Sequence, residues 1–198
     1  MLPVGVLALQ GDFREHEQML QACGVETLLV RDEAGLAKVS GLVLPGGEST
    51  AISKLAVSFD LVQPIQARIT AGLPVYGSCA GMIMLASTLV DGRSDQITFS
   101  AIDMSVRRNA FGRQVDSFEA ELNAPKITSE PITAVFIRAP WVELVGAGVE
   151  VLAKIETGLH SGAIVAVQQG AVMATSFHPE LTSDLRIHKY FLNLVHSA

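Results

Sequence analysis

The chain has 198 residues, of which 49% are hydrophobic and 17% are charged, and its formal net charge at pH 7 is −6. This composition is typical of a folded globular protein and argues against intrinsic disorder. The acidic balance argues against nucleic acid as the main partner, because binding phosphate groups requires a basic surface. No apolar run approaches the roughly 20 residues that cross a bilayer, so we expect no membrane partner.

The two cysteines, Cys23 and Cys79, are too few for a disulfide framework. The first residues of the chain also lack the basic segment of a signal peptide. Both observations predict a protein of the reducing cytoplasm. No linker, repeat or low-complexity segment interrupts the sequence, so we expect residues 1–198 to form one domain.

The first half of the chain alternates between short apolar runs and helical patterns. The apolar runs predict strands over 4–9, 25–30, 41–44 and 74–76. Helices are predicted from Asp12, from Ser49 or Thr50, and over 60–71, with the named polar residues as N-caps. Alternating strands and helices predict an α/β fold, with a parallel sheet that carries helices on both faces. In such sheets, ligands bind beyond the carboxyl ends of the strands.

After Gly92 the pattern changes to short apolar or alternating segments broken by Gly, Pro and Asn. They predict strands, some of them antiparallel, added to the first half over 97–107, 114–122, 132–138, 149–155 and 163–168. A last apolar strand over 172–177 precedes a helix from about 183 to 196. Two stretches that carry arginine, 107–114 and 137–141, are compatible with a solvated loop and a packing anchor.

Residues 74–81 contain the first candidate for chemistry. A short strand runs into a sharp turn at Cys79 and a helix follows, with Gly77 and Gly81 on either side of the cysteine. This Gly-x-Cys-x-Gly pattern is the thiol version of a nucleophile elbow, in which glycines let the strand and helix pack closely. The start of the helix aims free N–H groups at the sulfur and favours the reactive thiolate. A buried structural cysteine is the alternative, since free cysteines are among the most buried residues.

His178, Pro179 and Glu180 form the second candidate, directly after the last strand. Pro179 favours an extended conformation at His178, and in an extended chain residues two apart point the same way. Glu180 could then accept the Nδ1–H of His178 and leave Nε2 free as a base. With Cys79 at the end of a neighbouring strand, the three side chains would be a nucleophile, its base and an orienting carboxylate.

Other polar groups are less specific. The glycines of 45–50 leave N–H groups free for an oxyanion or carboxylate, although an ordinary strand-to-helix loop has the same pattern. His16, on the first helix, is compatible with a solvated position or an interface. His188 and His196 lie on the last helix and His160 in a glycine-rich turn, which makes them weaker candidates for chemistry.

The cysteine and histidine motifs together resemble class I glutamine amidotransferases, the triad-type glutaminases. Further stretches narrow the resemblance to the glutaminase subunits of pyridoxal 5′-phosphate synthases: 6–11, 45–50, 108–112 and 136–140. The resemblance spans essentially the whole chain and implies a flavodoxin-like three-layer α/β sandwich. One departure is Asp12, where members of the family often carry a small residue.

This resemblance implies that the chain hydrolyses L-glutamine to L-glutamate and ammonia through a γ-glutamyl thioester on Cys79, without a cofactor or metal. It implies an oxyanion hole formed by the backbone N–H groups of Gly47 and Ala80. The residues that would bind glutamine are Gly47, Glu48, Ser49, Arg108, Ile137 and Arg138. The ammonia would pass to a synthase subunit within a hetero-oligomer, and we expect Gln10 and Gly46 to lie near the contact that activates the site.

Two alternatives remain open from the sequence. A different thiol hydrolase on the same fold, such as a peptidase or a deglycase, would share the elbow at Cys79. It would have no reason to carry the stretches around Arg108 and Ile137–Arg138. A catalytically silent binding or regulatory subunit is the second alternative, and the intact set of Cys79, His178 and Glu180 argues against it.

Overall fold

The structure, a computed structural model, describes residues 2–93, 95–111 and 117–198. The strands in these ranges are β1 Val4–Leu7, β2 Thr27–Val30, β3 Gly41–Leu44, β4 Val75–Ser78, β5 Ala86–Leu89, β6 Ile102–Arg107, β7 Ser117–Leu122, β8 Ile132–Ile137, β9 Trp141–Val145, β10 Glu150–Lys154, β11 Ile164–Gln169 and β12 Val172–Thr175. The α-helices are α1 Phe13–Ala22, α2 Glu33–Leu36, α3 Ser49–Ser58, α4 Val62–Thr70, α5 Ala80–Leu85 and α6 Arg186–Ser197. A 3₁₀ turn covers Pro179–Leu181.

The main sheet has the strand order β2-β1-β3-β4-β12-β11-β9-β6-β5, with β10 paired to β11. The strands from β2 to β12 in this order are parallel, whereas β11 pairs in antiparallel fashion with β12, β9 and β10. A separate antiparallel pair joins β7 to β8. The predicted α/β fold, with a mostly parallel sheet and added antiparallel strands, is therefore confirmed. The carboxyl ends of β1, β3, β4 and β12 meet at one edge, which we call the rim.

Each face of the parallel strands supports its own hydrophobic core, because successive side chains of a strand point to opposite faces. On β3, Leu42 and Leu44 enter one core and Val43 enters the other. Buried side chains of α3, α4 and α5 complete the first core, and those of α1 and α6 complete the second. No helix in the described ranges combines the length and the apolar character needed to cross a membrane.

Several predicted boundaries were wrong for identifiable reasons. The apolar run after Cys79 continues a helical pattern through Ala86, yet the chain leaves the helix there and pairs with β6 as β5. The strand β9 was not predicted, because its three residues after Val142 are all exposed and do not alternate. In the segment 97–107 only the part from Ile102 is a strand, and the start of the segment 114–122 lies outside the described residues.

Helix capping also differs from the prediction. Helix α3 is capped by Glu48, whose side chain accepts a hydrogen bond from Thr50 N, and not by Ser49 or Thr50. Asp12 does occupy the N-cap position of α1, but its side chain makes no capping hydrogen bond. The carboxylate of Asp12 faces the cavity at the rim instead. The one-turn helix α2 was not predicted.

Candidate active site

Cys79 lies at the sharp turn between β4 and α5, and it is almost completely buried. Its φ of 48° and ψ of −101° lie outside the usual regions for a residue with a side chain, so the turn is strained. The backbone N–H of Cys79 donates to Thr175 O at 2.8 Å, which ties the turn to β12. A Cβ on Gly81 would lie 2.2 Å from Leu44 O, and this close approach explains why a glycine follows the elbow.

His178 and Glu180 meet behind the elbow, with His178 Nδ1 2.7 Å from Glu180 Oε1. The local geometry predicted for this pair was wrong. Instead of continuing the strand, Pro179–Leu181 forms a 3₁₀ turn, and this turn brings the carboxylate back to the ring. The Glu180 side chain has no exposed surface, whereas His178 is slightly exposed and reaches the same cavity as Cys79.

The electrostatics of this pair favour a protonated His178. Burial lowers the pKa of His178, but interactions with Cys79 and Glu180 outweigh burial and raise the pKa to about 10. Burial raises the pKa of Glu180, while the hydrogen bond to His178 acts in the opposite direction. Since the Glu180 carboxylate can only accept, His178 Nδ1 carries the hydrogen of the 2.7 Å bond, and Nε2 is left for chemistry.

A cavity of about 390 Å³ opens at the rim beside Cys79 and His178. Its lining contains every residue that the sequence predicts to bind substrate. It also contains residues with no predicted role in the site, such as Asn109 and Leu181. The lining residues are Gln10, Asp12, Gly47, Glu48, Ser49, Cys79, Arg108, Asn109, Ile137, Arg138, His178 and Leu181. Gly46 and Ala80 are not among them, although each is the chain neighbour of a lining residue.

Arg108 is held in place on the cavity wall by two side chains. Its guanidinium donates to Gln96 Oε1 at 3.0 Å and to Glu48 Oε1 at 3.2 Å. Gln96 in turn donates to Ser49 Oγ at 3.1 Å, so one amide orients two predicted substrate-binding residues. Sequence reasoning missed Gln96, because an isolated glutamine in an irregular segment carries no pattern.

The loop after β3 packs closely against the loop after β1. Gln10 Oε1 accepts a hydrogen bond from Glu48 N at 2.8 Å, and Gly46 O accepts one from Asp12 N at 3.0 Å. Gly47 has a φ of 145°, and a Cβ there would lie 2.5 Å from Gln10 Oε1. The predicted activation residues Gln10 and Gly46 therefore belong to one hydrogen-bonded unit at the edge of the cavity.

Asp12 adds a second carboxylate near the histidine, with Oδ2 3.7 Å from His178 Nδ1. Burial raises the pKa of Asp12, and attraction to His178 acts in the opposite direction. Potential metal-binding atoms of Asp12, His178 and Glu180 lie within 4.8 Å of one another. The 2.7 Å hydrogen bond between His178 and Glu180 already accounts for this grouping. The position of Asp12 at the end of β1 was the sequence signal that could have placed it on the rim.

A nucleophile elbow beside a histidine–carboxylate pair, at the carboxyl edge of a parallel sheet, defines a thiol-dependent hydrolase of the triad type. The model of the SNO glutamine amidotransferase family matches residues 6–197. The chain belongs to this family and is a glutamine amidotransferase.

Relatives and solved structures agree with this assignment. Two relatives bear the name pyridoxal 5′-phosphate synthase subunit PdxT. The one from Nocardia farcinica is 60% identical, over 98% of this chain and 86% of its own length. The one from Salinispora tropica is 59% identical, over 98% of this chain and 97% of its own length. A crystal structure of a glutamine amidotransferase superposes with a TM-score of 0.90 at 45% identity, covering 98% of each chain.

Proposed function

We propose that this chain is the glutaminase subunit of a pyridoxal 5′-phosphate synthase, which hydrolyses L-glutamine and passes ammonia to a synthase subunit. The observation that carries the chemistry is the 2.7 Å bond between His178 and Glu180 beside Cys79, at a cavity lined by Arg108 and Arg138. The synthase partner and the pathway are supported by the names of relatives with about 60% identity over nearly their whole length. Residues 1–198 act as one glutaminase domain, since each core draws side chains from both halves of the chain.

The reaction starts from the thiolate of Cys79 paired with protonated His178. The thiolate attacks the carboxamide carbon of glutamine, and the negative charge that develops on the amide oxygen is stabilised by the N–H groups of Gly47 and Ala80. His178 Nε2 gives its proton to the nitrogen as the C–N bond breaks, and ammonia leaves. Water then attacks the γ-glutamyl thioester while His178 takes a proton from this water. Glutamate is released, and Cys79 returns to the thiolate.

The cavity walls supply the groups that an amino acid substrate needs. Arg108 presents a guanidinium, which pairs well with a carboxylate, while the carboxylate of Glu48 suits an α-ammonium group. These two side chains contact each other at 3.2 Å. The α-carboxylate and α-ammonium groups of glutamine would therefore replace the ion pair between Arg108 and Glu48. Ser49, Ile137 and Arg138 complete the proposed glutamine site.

Ammonia transfer requires a partner that covers the rim, and the loop around Gly46 is the proposed point of activation. Gly46 O is bonded to Asp12 N at 3.0 Å, and Gln10 is bonded to the same loop. A partner that docks here can reorient the Gly46–Gly47 peptide and improve the oxyanion hole. Because the reaction needs Cys79 as a free thiol, we place the complex in the reducing cytoplasm.

The test is to measure glutamate release from L-glutamine by the full chain, with and without the synthase subunit of the same organism. We expect activity that rises with the synthase subunit, is lost in Cys79→Ala and is retained in Cys23→Ala. Cys23 is the matched control because it is the other free cysteine and lies at the C-terminal end of α1, whereas Asp12 at the N-terminal end lines the cavity. If Cys79→Ala and Cys23→Ala behaved alike, the proposed chemistry would be wrong.

A further inference from the structure

A buried group of polar side chains lies behind the proposed catalytic residues and has no part in the chemistry described above. Its members are His16 of α1, Ser78 of β4 and His188 of α6, and none of them has exposed surface. The two interpretations that the sequence allows for His16, a solvated position or an interface, are both wrong. Buried polar groups of this kind are costly unless they are paired, so their arrangement requires an explanation.

The His16 ring connects separate segments of the chain. Its Nδ1 lies 3.0 Å from His188 Nε2, and its Nε2 lies 2.9 Å from Ser78 Oγ. The same Nε2 is 3.3 Å from Glu180 Oε2, the carboxylate oxygen that points away from His178. One imidazole thus touches the residue before Cys79, the carboxylate behind His178 and the last helix.

The neighbours of His16 determine where its hydrogen lies. A carboxylate accepts and cannot donate, so Nε2 of His16 must carry the hydrogen for its contact with Glu180 to be attractive. Nδ1 is then an acceptor, and the hydrogen bond with His188 must come from His188 Nε2–H. The Nε2–H of His16 donates to Ser78 Oγ at 2.9 Å. Glu180 Oε2 accepts no hydrogen bond within the described residues. Because it lies only 3.3 Å from the same Nε2, the N–H stabilises it electrostatically.

The His16 ring is also neutral. Burial lowers the pKa of His16 well below its usual value, and the neighbouring His188 and His178 lower it further. A protonated His16 would compete with His178 for the charge of Glu180. A neutral N–H donor supports the carboxylate and leaves its charge for the catalytic histidine.

We infer that His16 is a positioning residue for the glutaminase reaction, which holds Glu180 in place for His178 and is itself kept in the required tautomer by His188. The effect is indirect, because His16 does not reach the cavity and touches no reacting atom. This inference rests on the proposed function for its kinetic readout. The alkylation of Cys79 gives a second readout that does not depend on glutamine.

The main comparison uses three variants of the full chain assayed with the synthase subunit. His16→Leu removes the donor, His16→Gln keeps an amide N–H that can reach the same place, and Leu20→Ala is the matched control. Leu20 lies one turn further along α1 and is equally buried, but it is apolar. We expect kcat to fall about tenfold or more in His16→Leu with KM nearly unchanged, and to recover to within about threefold of the parent in His16→Gln. Leu20→Ala should keep kcat even though it lowers the melting temperature.

Two further measurements separate positioning from general damage. In a Glu180→Gln background, His16→Leu should lower kcat no further, because its effect passes through Glu180. The pH midpoint of Cys79 alkylation by iodoacetamide should move up by about half a unit or more in His16→Leu. The reason is that a Glu180 carboxylate that is no longer held against His178 stabilises protonated His178 less, and His178 then stabilises the thiolate less. Leu20→Ala should leave this midpoint where it is.

The inference would be overturned by independent, multiplicative losses in the double variant, or by an alkylation midpoint that does not move. An equal kcat loss in Leu20→Ala would likewise reduce His16 to a structural role. If the parent complex released no glutamate from glutamine, the proposed function would fail, while the alkylation midpoint would still decide the role of His16.

Discussion

Replacing His188 with glutamine tests the buried histidine pair through the stability of the fold at acid pH. Burial lowers the pKa of His188 from 6.5 to about 4, against the attraction of Asp184. A histidine whose pKa is lowered by folding stabilises the fold above the pKa of the unfolded chain. This stabilisation is lost as the pH falls from 6.5 towards 4, because in this range the unfolded chain binds a proton at His188 and the folded chain does not.

The size of the effect follows from the two pKa values. At pH 5 nearly every unfolded molecule is protonated at this position, compared with roughly a tenth of the folded molecules. Between pH 7 and pH 5, His188 therefore removes about 2 kcal/mol of unfolding free energy, since one pKa unit corresponds to about 1.4 kcal/mol. The glutamine variant does not titrate, and it should lack this part of the pH dependence.

The assay is urea unfolding of the parent and His188→Gln at pH 7 and pH 5, followed by circular dichroism. His196→Gln is the matched control, because His196 lies on the same helix and is exposed. We expect the loss of stability on going to pH 5 to be about 2 kcal/mol smaller in His188→Gln than in the parent or the control. Equal losses in all three proteins would refute the assignment of a neutral, buried His188.

Three other outcomes follow from the site. Glu180→Gln should lower kcat severely, yet by about tenfold less than His178→Ala, because an orienting residue is less costly to lose than the base it orients; equal losses would indicate a more direct role. Gly81→Ala should lower the unfolding free energy by about 1–3 kcal/mol or more in urea, since its Cβ would meet a β3 carbonyl, and an unchanged midpoint would contradict that close packing. Adding the synthase subunit should raise glutamine turnover by about a hundredfold or more while the rate of Cys79 alkylation changes little, if activation completes the oxyanion hole. Proportional increases would mean that the partner activates the thiol itself.

The sequence was sufficient for the features that depend on local pattern and on the general rules of parallel sheets. The strand β3 was predicted with its observed bounds, 41–44, because its apolar run is bounded by turn residues on both sides. The elbow at Cys79 could be predicted because flanking glycines are required wherever a strand and a helix meet so closely. The location of the site beyond the carboxyl ends of the strands followed from the general rule for parallel sheets.

Features that depend on distant contacts could not be predicted in the same way. The pairing of His178 with Glu180 was expected, but for a local reason that the 3₁₀ turn contradicts. His16 was misjudged because its burial is created by β4 and α6, and the residues it contacts there lie 62 and 172 positions further along the chain. A single histidine on an amphipathic helix gives no sign of such partners.

The residue that supports Glu180 is His16, which lies far from Glu180 along the chain, and not a residue near the 3₁₀ turn. Glu180 directs one oxygen towards His178, and its other oxygen lies in the interior, 3.3 Å from His16 Nε2. Helix α1 follows the strand β1, so its first turns pass behind the rim that β1 helps to form. A carboxylate at this depth needs a donor to remain charged, and a charged donor would draw it away from His178. A neutral histidine meets both requirements, provided that a second neutral histidine fixes its hydrogen on the side of the carboxylate.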